Sequence, residues 1–146
     1  MKIIKQQPYI LDASVAVKWF AGAGEEHLDK ALALFNLVVA RKITFLAPEL
    51  LVYELSNALW KGKNFNNRQL NEAMKAFYAL SVELFSANMI LLQKAHQIAV
   101  DYNITVYDAT YAALAELKEC SLITANPKCF KRVKKNFIIV LDEVSF

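Results

Sequence analysis

The sequence predicts an α/β fold built around a mainly parallel sheet. Short runs rich in β-branched and aliphatic residues alternate with longer segments whose apolar residues recur at helical spacing. Such alternation is typical of βαβ units, in which a helix connects two parallel strands. The chain has 146 residues, 56% of them hydrophobic, which suffices for the core of one domain. We therefore expect a single domain over residues 1–146.

The first half of the chain predicts two strands and four helices. Gly22 and Gly24 separate the first two helices. Pro48 suits the first turn of a helix, because the N–H that proline lacks has no partner there. The predicted strands are Tyr9–Leu11 and Thr44–Ala47, and the predicted helices are Ser14–Phe20, Glu26–Arg41, Pro48–Lys61 and a segment capped by Asn67 that reaches about Leu80.

The second half predicts two or three further strands. Residues 82–85 suit either a brief strand or an extended link, and Ser86 can cap the helix that follows, which runs through Ala99 to Tyr102. Asn126 and Pro127 are typical of a cap and a first-turn proline of a short helix. The remaining predicted elements are an extended piece at Ile104–Val106, a helix from Asp108 to about Lys118, and strands at Ser121–Thr124 and Phe137–Leu141.

Composition restricts the class of protein. The formal charge of +3 permits a polyanionic partner without demanding one. Cys120 and Cys129 are too few for a disulfide framework and fit no zinc spacing, which favours a reducing compartment. No segment approaches the ~18 apolar residues of a membrane span, and Pro8, Asp12 and Lys18 interrupt any export signal. We expect a cytoplasmic protein without a membrane partner.

Three carboxylates stand where a metal site would need them. Asp12 follows the first strand, Asp108 follows the extended piece at 104–107, and Glu54 lies on an apolar helix stripe. Because open α/β sheets bind ligands at the carboxyl ends of their strands, we expect the two aspartates to lie close together. Two such aspartates would repel each other, and a divalent cation would relieve that repulsion. The pattern predicts a site of oxygen ligands for a hard cation.

Each carboxylate also has a purely structural interpretation. Asp12 and Asp108 occupy cap-like positions, and a cap alone contributes ~1 kcal/mol. Glu54 could lie at the edge of its stripe or pair with a lysine or arginine, because burying an unpaired charge is costly. Asn126 could simply cap the helix that begins at Pro127. These alternatives stay open at the level of the sequence.

Further polar residues surround the predicted site. Ser14, Thr124 and Asn126 could hydrogen-bond a water, a phosphate or a neighbouring carboxylate, and no histidine is placed to make Ser14 a nucleophile. A basic run could hold phosphates or be an ordinary solvated face; it comprises Lys128, Lys131, Arg132, Lys134 and Lys135. Three aromatic residues could stack on bases, or fill a core or an interface: Trp19, Tyr53 and Trp60.

At these residues the chain resembles a PIN domain, and more narrowly a VapC-type toxin ribonuclease. The resemblance implies a three-layer α/β/α fold and a Mg²⁺- or Mn²⁺-dependent endoribonuclease. Asp12, Glu54 and Asp108 match the three core acidic residues of the family by position. Asn126 stands where many members carry a fourth aspartate, and Thr124 matches a threonine or serine beside it. The resemblance is carried by ILDASVAVKWF (10–20), APELLVYELSNALW (47–60), YDATYAALA (107–115) and LITAN (122–126).

The resemblance also implies partners. VapC-type toxins often form homodimers and are often held inactive by a small antitoxin protein. On this interpretation the substrate is RNA, and Lys128, Lys131 and Arg132 contact its phosphates. A hydrophobic content of 56% is compatible with both protein interfaces.

Three alternatives compete with a nuclease. A catalytically weak or inactive PIN-like module that binds RNA or protein is favoured by the neutral amide of Asn126. A phosphatase with an aspartate nucleophile usually has a second acidic residue two positions later, where this chain has Ser14. A purely structural subunit would gain no thermal stability from Mn²⁺.

Overall fold

The five strands of this protein form one sheet in which every neighbouring pair is parallel. A computed structural model describes residues 1–146, and its strand order is β3-β2-β1-β4-β5. The strands are β1 (Pro8–Leu11), β2 (Thr44–Pro48), β3 (Glu83–Phe85), β4 (Ser121–Thr124) and β5 (Ile138–Val140). The predicted parallel sheet is confirmed, and residues 82–85 supply an edge strand rather than a link.

Helices cover the sheet in two layers and complete the expected α/β/α arrangement. Helix α6 packs on β1, β2 and β4 and is covered by α5, whereas α1 packs against β4 with α2 and α3 beside it. The helices are α1 (Ala13–Ala21), α2 (Leu28–Val39), α3 (Leu50–Asn57), α4 (Asn67–Ala79), α5 (Met89–Tyr102), α6 (Val106–Leu117) and α7 (Pro127–Phe130). None of them is long and apolar enough to cross a membrane.

One predicted element is wrong, and it concerns a site residue. The segment at 104–106 is not an extended piece, since α6 already begins at Val106. Thr105 caps this helix, and its Oγ1 accepts a hydrogen bond from the Asp108 N–H at 3.1 Å. Asp108 therefore lies in the first turn of α6 and not at a cap or a strand end.

Three helix boundaries also differ from expectation, two of them because a neighbouring residue supplies the cap. Asn66, not Asn67, caps α4 and forms a reciprocal capping box with Gln69. Asn88, not Ser86, caps α5 by accepting from the Leu91 N–H at 2.9 Å. Helix α3 begins at Leu50 rather than at Pro48, because Pro48 ends β2 and pairs with Phe85 of β3. The helix continues as a π-helical turn to Gly62, close to the predicted end at about Lys61.

The strand order creates a crevice beside β1. From β1 the chain passes to β2 and β3 on one side, and it returns to place β4 and β5 on the other side. The connections thus leave β1 in opposite directions, which opens a space above the carboxyl ends of β1 and β4. Asp12 follows β1, and the Ala125–Asn126 turn follows β4, so both stand at this crevice.

Candidate active site

Asp12 is held at the carboxyl end of β1 by two hydroxyl groups. Its backbone N–H continues the sheet pairing by donating to Ile123 O at 3.1 Å. The side chain is 8% exposed and makes no capping hydrogen bond to α1, although Asp12 occupies the N-cap position. Its Oδ2 instead accepts hydrogen bonds from Ser14 Oγ and Thr124 Oγ1, both at 2.6 Å. Capping therefore does not explain this aspartate.

The two hydroxyls form a brace between β1 and β4. Ser14 Oγ accepts from the Ala125 N–H at 2.9 Å, and Thr124 Oγ1 accepts from the Asn126 N–H at 3.0 Å. Because each hydroxyl receives a backbone proton, its own proton is directed toward Asp12. The brace thus orients one oxygen of Asp12, while Oδ1 takes part in neither hydroxyl bond.

Glu54 is half-buried on α3 and is held by a tyrosine rather than by a cation. The hydroxyl of Tyr111 donates to Glu54 Oε1 at 2.6 Å, and Glu54 forms no salt bridge. Tyr111 is 1% exposed and lies three residues after Asp108 on α6. One turn of α6 therefore supplies both a carboxylate and the group that orients another.

The three predicted carboxylates line one cavity of about 220 Å³. The structure also brings Ser14 and Asn126 to this cavity, whereas Thr124 is fully buried behind it against Asp12. Asn126 makes no side-chain capping bond, which leaves its amide outside the cap role that the sequence allowed. The lining residues are Asp12, Ala13, Ser14, Val17, Glu54, Ala58, Asp108, Asn126 and Cys129.

Two residues at the site were missed by the sequence reasoning. Tyr111 had a signal, since it follows Asp108 at a helical i+3 spacing, and a buried tyrosine hydroxyl needs a partner. Cys129 had no such signal, because the sequence does not distinguish a cysteine near a site from any other small semi-buried cysteine. Burial, and then the charges of Asp108 and Asp12, raise the pKa of Cys129 to about 11. It therefore adds no charge to the cavity at neutral pH.

The cavity brings several carboxylates together in a site that is partly buried from solvent. Burial raises the pKa of Asp12, the hydrogen bonds from Ser14 and Thr124 partly offset this, and the charge of Asp108 raises the pKa again. Burial likewise raises the pKa of Glu54, the Tyr111 hydrogen bond lowers it, and the charges of Asp12 and Asp108 add to the rise. A bound divalent cation would remove this mutual penalty.

The donor types fit Mg²⁺ or Mn²⁺, which prefer carboxylate oxygens. As the side chains stand, no three histidine, cysteine, aspartate or glutamate residues converge closely enough to hold a metal ion. The fit thus rests on the chemistry of the donors and on the lack of any salt bridge to Asp12, Glu54 or Asp108.

The basic run lies outside this cavity. Lys128, Lys131 and Arg132 are exposed on α7 and the residues that follow it, beyond the Asn126 turn. Arg132 Nη1 donates to Asn103 O at 3.4 Å. The structure therefore does not bring these cations to the carboxylates, although the first of them is only two residues from Asn126.

A larger cavity of about 540 Å³ lies on the other side of the turn after β4. Its buried lysine already has partners, since Lys18 Nζ donates to Glu25 Oε2 at 3.1 Å and to Glu26 O at 2.9 Å. Lys63 pairs with the same Glu25. The carboxylate cavity, with its uncompensated charges, is the better candidate for catalysis.

Comparison with known proteins agrees with this geometry. The model of the PIN domain family matches residues 9–136, which include β4 and every residue lining the carboxylate cavity. Ribonuclease VapC3 of Pyrobaculum aerophilum is 34% identical over 83 residues, which cover 52% of this chain and 61% of that protein. The chain thus spans about three fifths of this curated relative.

Two solved structures share the fold. A toxin–antitoxin complex from Klebsiella pneumoniae contains a chain with a TM-score of 0.66 and 17% identity, covering 91% of this chain and 97% of that one. VapBC2 from Rickettsia felis, bound to a DNA fragment from its promoter, has a TM-score of 0.70 and 18% identity, with coverage of 91% and 98%. At such identities these likenesses show the fold alone.

Proposed function

Since this chain belongs to the PIN domain family, we propose that it is a Mg²⁺- or Mn²⁺-dependent endoribonuclease, the toxin of a toxin–antitoxin pair. The observation that carries the proposal is the meeting of three carboxylates, from three separate elements, in one cavity at the crevice beside β1. The partial match to a protein named as a ribonuclease supports RNA as the substrate.

In this proposal Asp12, Glu54 and Asp108 hold the metal. When bound, the cation lowers the pKa of water and neutralises charge that develops on the phosphate oxygens. The brace from Ser14 and Thr124 keeps Asp12 oriented, and the Tyr111 hydroxyl does the same for Glu54. Orientation of this kind avoids reorganisation during the reaction.

The remaining residues act on water and substrate. Attack of water on phosphorus forms one P–O bond and breaks the bond to the leaving ribose oxygen. A cavity carboxylate accepts the proton of the attacking water, and the leaving oxygen takes a proton from solvent. The amide of Asn126 orients the water or a phosphate oxygen, and Lys128, Lys131 and Arg132 hold flanking phosphates.

We also infer protein partners, a homodimer and an inhibitory antitoxin. Support comes from fold neighbours that were solved as toxin–antitoxin and VapBC assemblies. Helix α5 exposes large aliphatic side chains on which a partner would bury area, with Met89 at 66%, Ile90 at 67% and Val100 at 81% exposure. The two unpaired cysteines suit a reducing cytoplasm, where such an enzyme would meet RNA.

An inactive PIN-like module that binds RNA or protein is the second candidate. Asn126 favours it, because a neutral amide removes one potential charged ligand from the cavity. The present spread of the carboxylates favours it as well. It predicts RNA binding without hydrolysis.

Cleavage of a labelled RNA mixture tests the proposal. Purified protein is incubated with Mn²⁺, with Mg²⁺ or with chelator, in parallel with the variants Asp12→Asn and Asp108→Asn. Asp101→Asn, an exposed change on α5, is the matched control. We expect cleavage only with metal, loss of at least ~100-fold in both site variants, and normal cleavage in the control.

The negative result is equally informative. If folded protein that is free of inhibitor cuts none of many RNAs under these conditions, hydrolysis is excluded and the binding module replaces it. Cleavage that persists undiminished in Asp12→Asn would place the reaction at another site.

A further inference from the structure

Three of the most exposed aromatic residues lie within two sequence positions of residues that line the carboxylate cavity. Tyr53 is 74% exposed and directly precedes Glu54. Tyr107 is 65% exposed and directly precedes Asp108. Trp60 is 52% exposed, on the π-helical turn whose first residue lines the cavity. We call Tyr53, Trp60 and Tyr107 the aromatic rim.

Helix geometry places the rim beside the catalytic groups rather than among them. Tyr53 lies on α3 and Trp60 on its π-helical continuation, so both belong to the helical segment that carries Glu54. Glu54 is rotated by about 100° from Tyr53, which leaves the ring of Tyr53 in solvent while Glu54 faces the cavity. The three rim residues therefore flank cavity residues in the sequence, and none of them lines the cavity itself.

The chemistry of the rim suits nucleobases. Every base offers a π-face, so tyrosine and tryptophan rings stack on bases without regard to sequence. The Nζ of Lys61 lies 3.9 Å from the centre of the Trp60 ring, which adds a positive charge at that position. A lysine at this place fits a phosphate-bearing partner better than the centre of a protein interface, where lysine is depleted.

The distribution of exposed apolar residues separates the rim from a protein-binding face. The large exposed side chains on the outer side of α5 are aliphatic, namely Met89, Ile90 and Val100. Those beside the cavity are mostly aromatic with a polar tip. Aliphatic groups bury area against another protein but have no π-face for a base.

We propose that the aromatic rim of Tyr53, Trp60 and Tyr107 binds unpaired bases of single-stranded RNA on either side of the cleaved phosphate. This inference rests on the proposed ribonuclease function, which it deepens by naming the residues that hold the bases of the substrate. Bases held in a duplex are already stacked and paired, so the rim selects loops and single strands.

Binding without cleavage tests the rim. A labelled 12-nucleotide single strand of mixed sequence and the same strand in a duplex are titrated with protein in EDTA, and fluorescence anisotropy is recorded. Tyr53→Leu, Trp60→Leu and Tyr107→Leu keep apolar bulk but remove the ring. Tyr78→Leu is the matched control, because Tyr78 is 59% exposed on α4, which contributes no residue to the cavity.

We expect each leucine change in the rim to weaken single-strand binding by about 5- to 150-fold, with recovery in the corresponding phenylalanine variants. The Tyr78→Leu control should bind the single strand as tightly as the native chain does. Duplex binding should be weaker than single-strand binding and should not change in the rim variants. Binding should also quench tryptophan fluorescence in the native chain, and Trp60→Leu, which retains Trp19, should abolish that quenching.

Three results would overturn the inference. They are single-strand binding that is unaffected by all three leucine changes, duplex binding as tight as single-strand binding, and a sedimentation mass that falls in the leucine variants, which would assign the surface to a second copy. The cleavage assay separates this outcome from the parent proposal. If the protein cleaves RNA with metal but the rim variants bind RNA normally, only the proposal for the rim is refuted. If RNA binding depends on the rim but no cleavage occurs, only the proposed hydrolysis is refuted.

Discussion

Glu54 shows how a single carboxylate is accommodated on an apolar helix. Leu51 and Leu55 beside it are fully buried, yet its charged group needs no lysine or arginine, because Tyr111 donates a hydrogen bond at 2.6 Å. Burial and the charges of Glu54 and Asp12 raise the pKa of Tyr111, so it remains a donor at any physiological pH. This arrangement leaves the carboxylate of Glu54 without a counter-charge, and a bound cation can supply one.

Tyr111→Phe removes only the hydroxyl that orients Glu54. We expect a folded protein whose Mn²⁺ affinity is about 10- to 100-fold weaker, since lost outer-shell partners of metal ligands have effects of that size. The measurement is the rise in melting temperature as Mn²⁺ is titrated, with Tyr78→Phe as an exposed control. An unchanged Mn²⁺ titration would show that Tyr111 has no role in metal binding.

Asp12 makes stability depend on pH in an unusual direction. Its pKa in the folded chain lies above the ordinary value of 3.8, chiefly because burial disfavours the charged form. Between those two values the folded chain binds more protons than the unfolded chain, so the free energy of unfolding falls as pH rises. Most aspartates have lowered pKa values in folded proteins and show the opposite trend.

Asp12→Asn should therefore be more heat-stable than the native chain at pH 8 in EDTA. Each kcal/mol corresponds to about 2–4 °C in a chain of this size. Acidification toward pH 5 should stabilise the native chain more than the variant, and Mn²⁺ should reverse their order by stabilising the native chain alone. Thermal melts in the two buffers measure this, and a native chain that is the more stable at pH 8 in EDTA would contradict it.

At the scale of elements, the brace couples the ends of β1 and β4. Ser14 and Thr124 belong to different elements, and each links the turn after β4 to the carboxylate after β1. Adjacent parallel strands hold these positions in register, since Leu11 pairs with Ile123. The pairing of β1 with β4 thus sets the geometry of the site.

Thr124→Val tests the brace with little change in shape. The change leaves the Asn126 N–H without its 3.0 Å acceptor and Asp12 without one of its two hydroxyl donors. We expect a loss of about 1–3 kcal/mol in the free energy of unfolding without metal. Urea unfolding checks this, with Thr44→Val on the exposed position of β2 as the control. Equal midpoints for both variants would show that the brace contributes nothing to stability.

At the scale of the whole molecule, the acidic cavity is separated from a surface on which basic residues outnumber acidic ones. The chain has 17 basic and 14 acidic residues, and three of the acidic ones line the cavity, so 17 basic residues face 11 acidic ones elsewhere. A polyanion would be attracted to the outer surface, while the cavity repels it until a cation binds. The exposed run that includes Lys128, Lys131 and Arg132 follows the cavity turn directly.

Changing Lys128, Lys131 and Arg132 to glutamine should reduce the salt dependence of RNA binding. Each lost phosphate contact on a single strand lowers the slope of log K against log salt by about 0.7, so three contacts give about 2. Anisotropy titrations across a range of KCl concentrations measure the slope. The control replaces Lys2, Lys5 and Lys42, which lie near the amino ends of β1 and β2. Equal slopes for both triple variants would assign the effect to net charge alone.

Much of the site could be read from local patterns, and the misses have a common cause. Asp12 after a strand and Glu54 on a helix stripe were expected, and both line the cavity. Asp108 was expected at a strand end but lies in the first turn of α6, because Thr105 supplies the cap. Cys129 lines the cavity from α7, the short helix after the β4 turn, and no local pattern indicates this.

The sequence by itself determined the parallel α/β class and the identity of the three carboxylates, because hydrophobic periodicity and turn residues act over a few positions. Tertiary structure alone decided that these carboxylates share one cavity, that hydroxyls of Ser14 and Thr124 hold Asp12, and that Tyr111 holds Glu54. The Tyr111–Glu54 and Thr124–Asp12 contacts join residues 57 and 112 positions apart. They follow from the strand order and from helix packing, which no local pattern specifies.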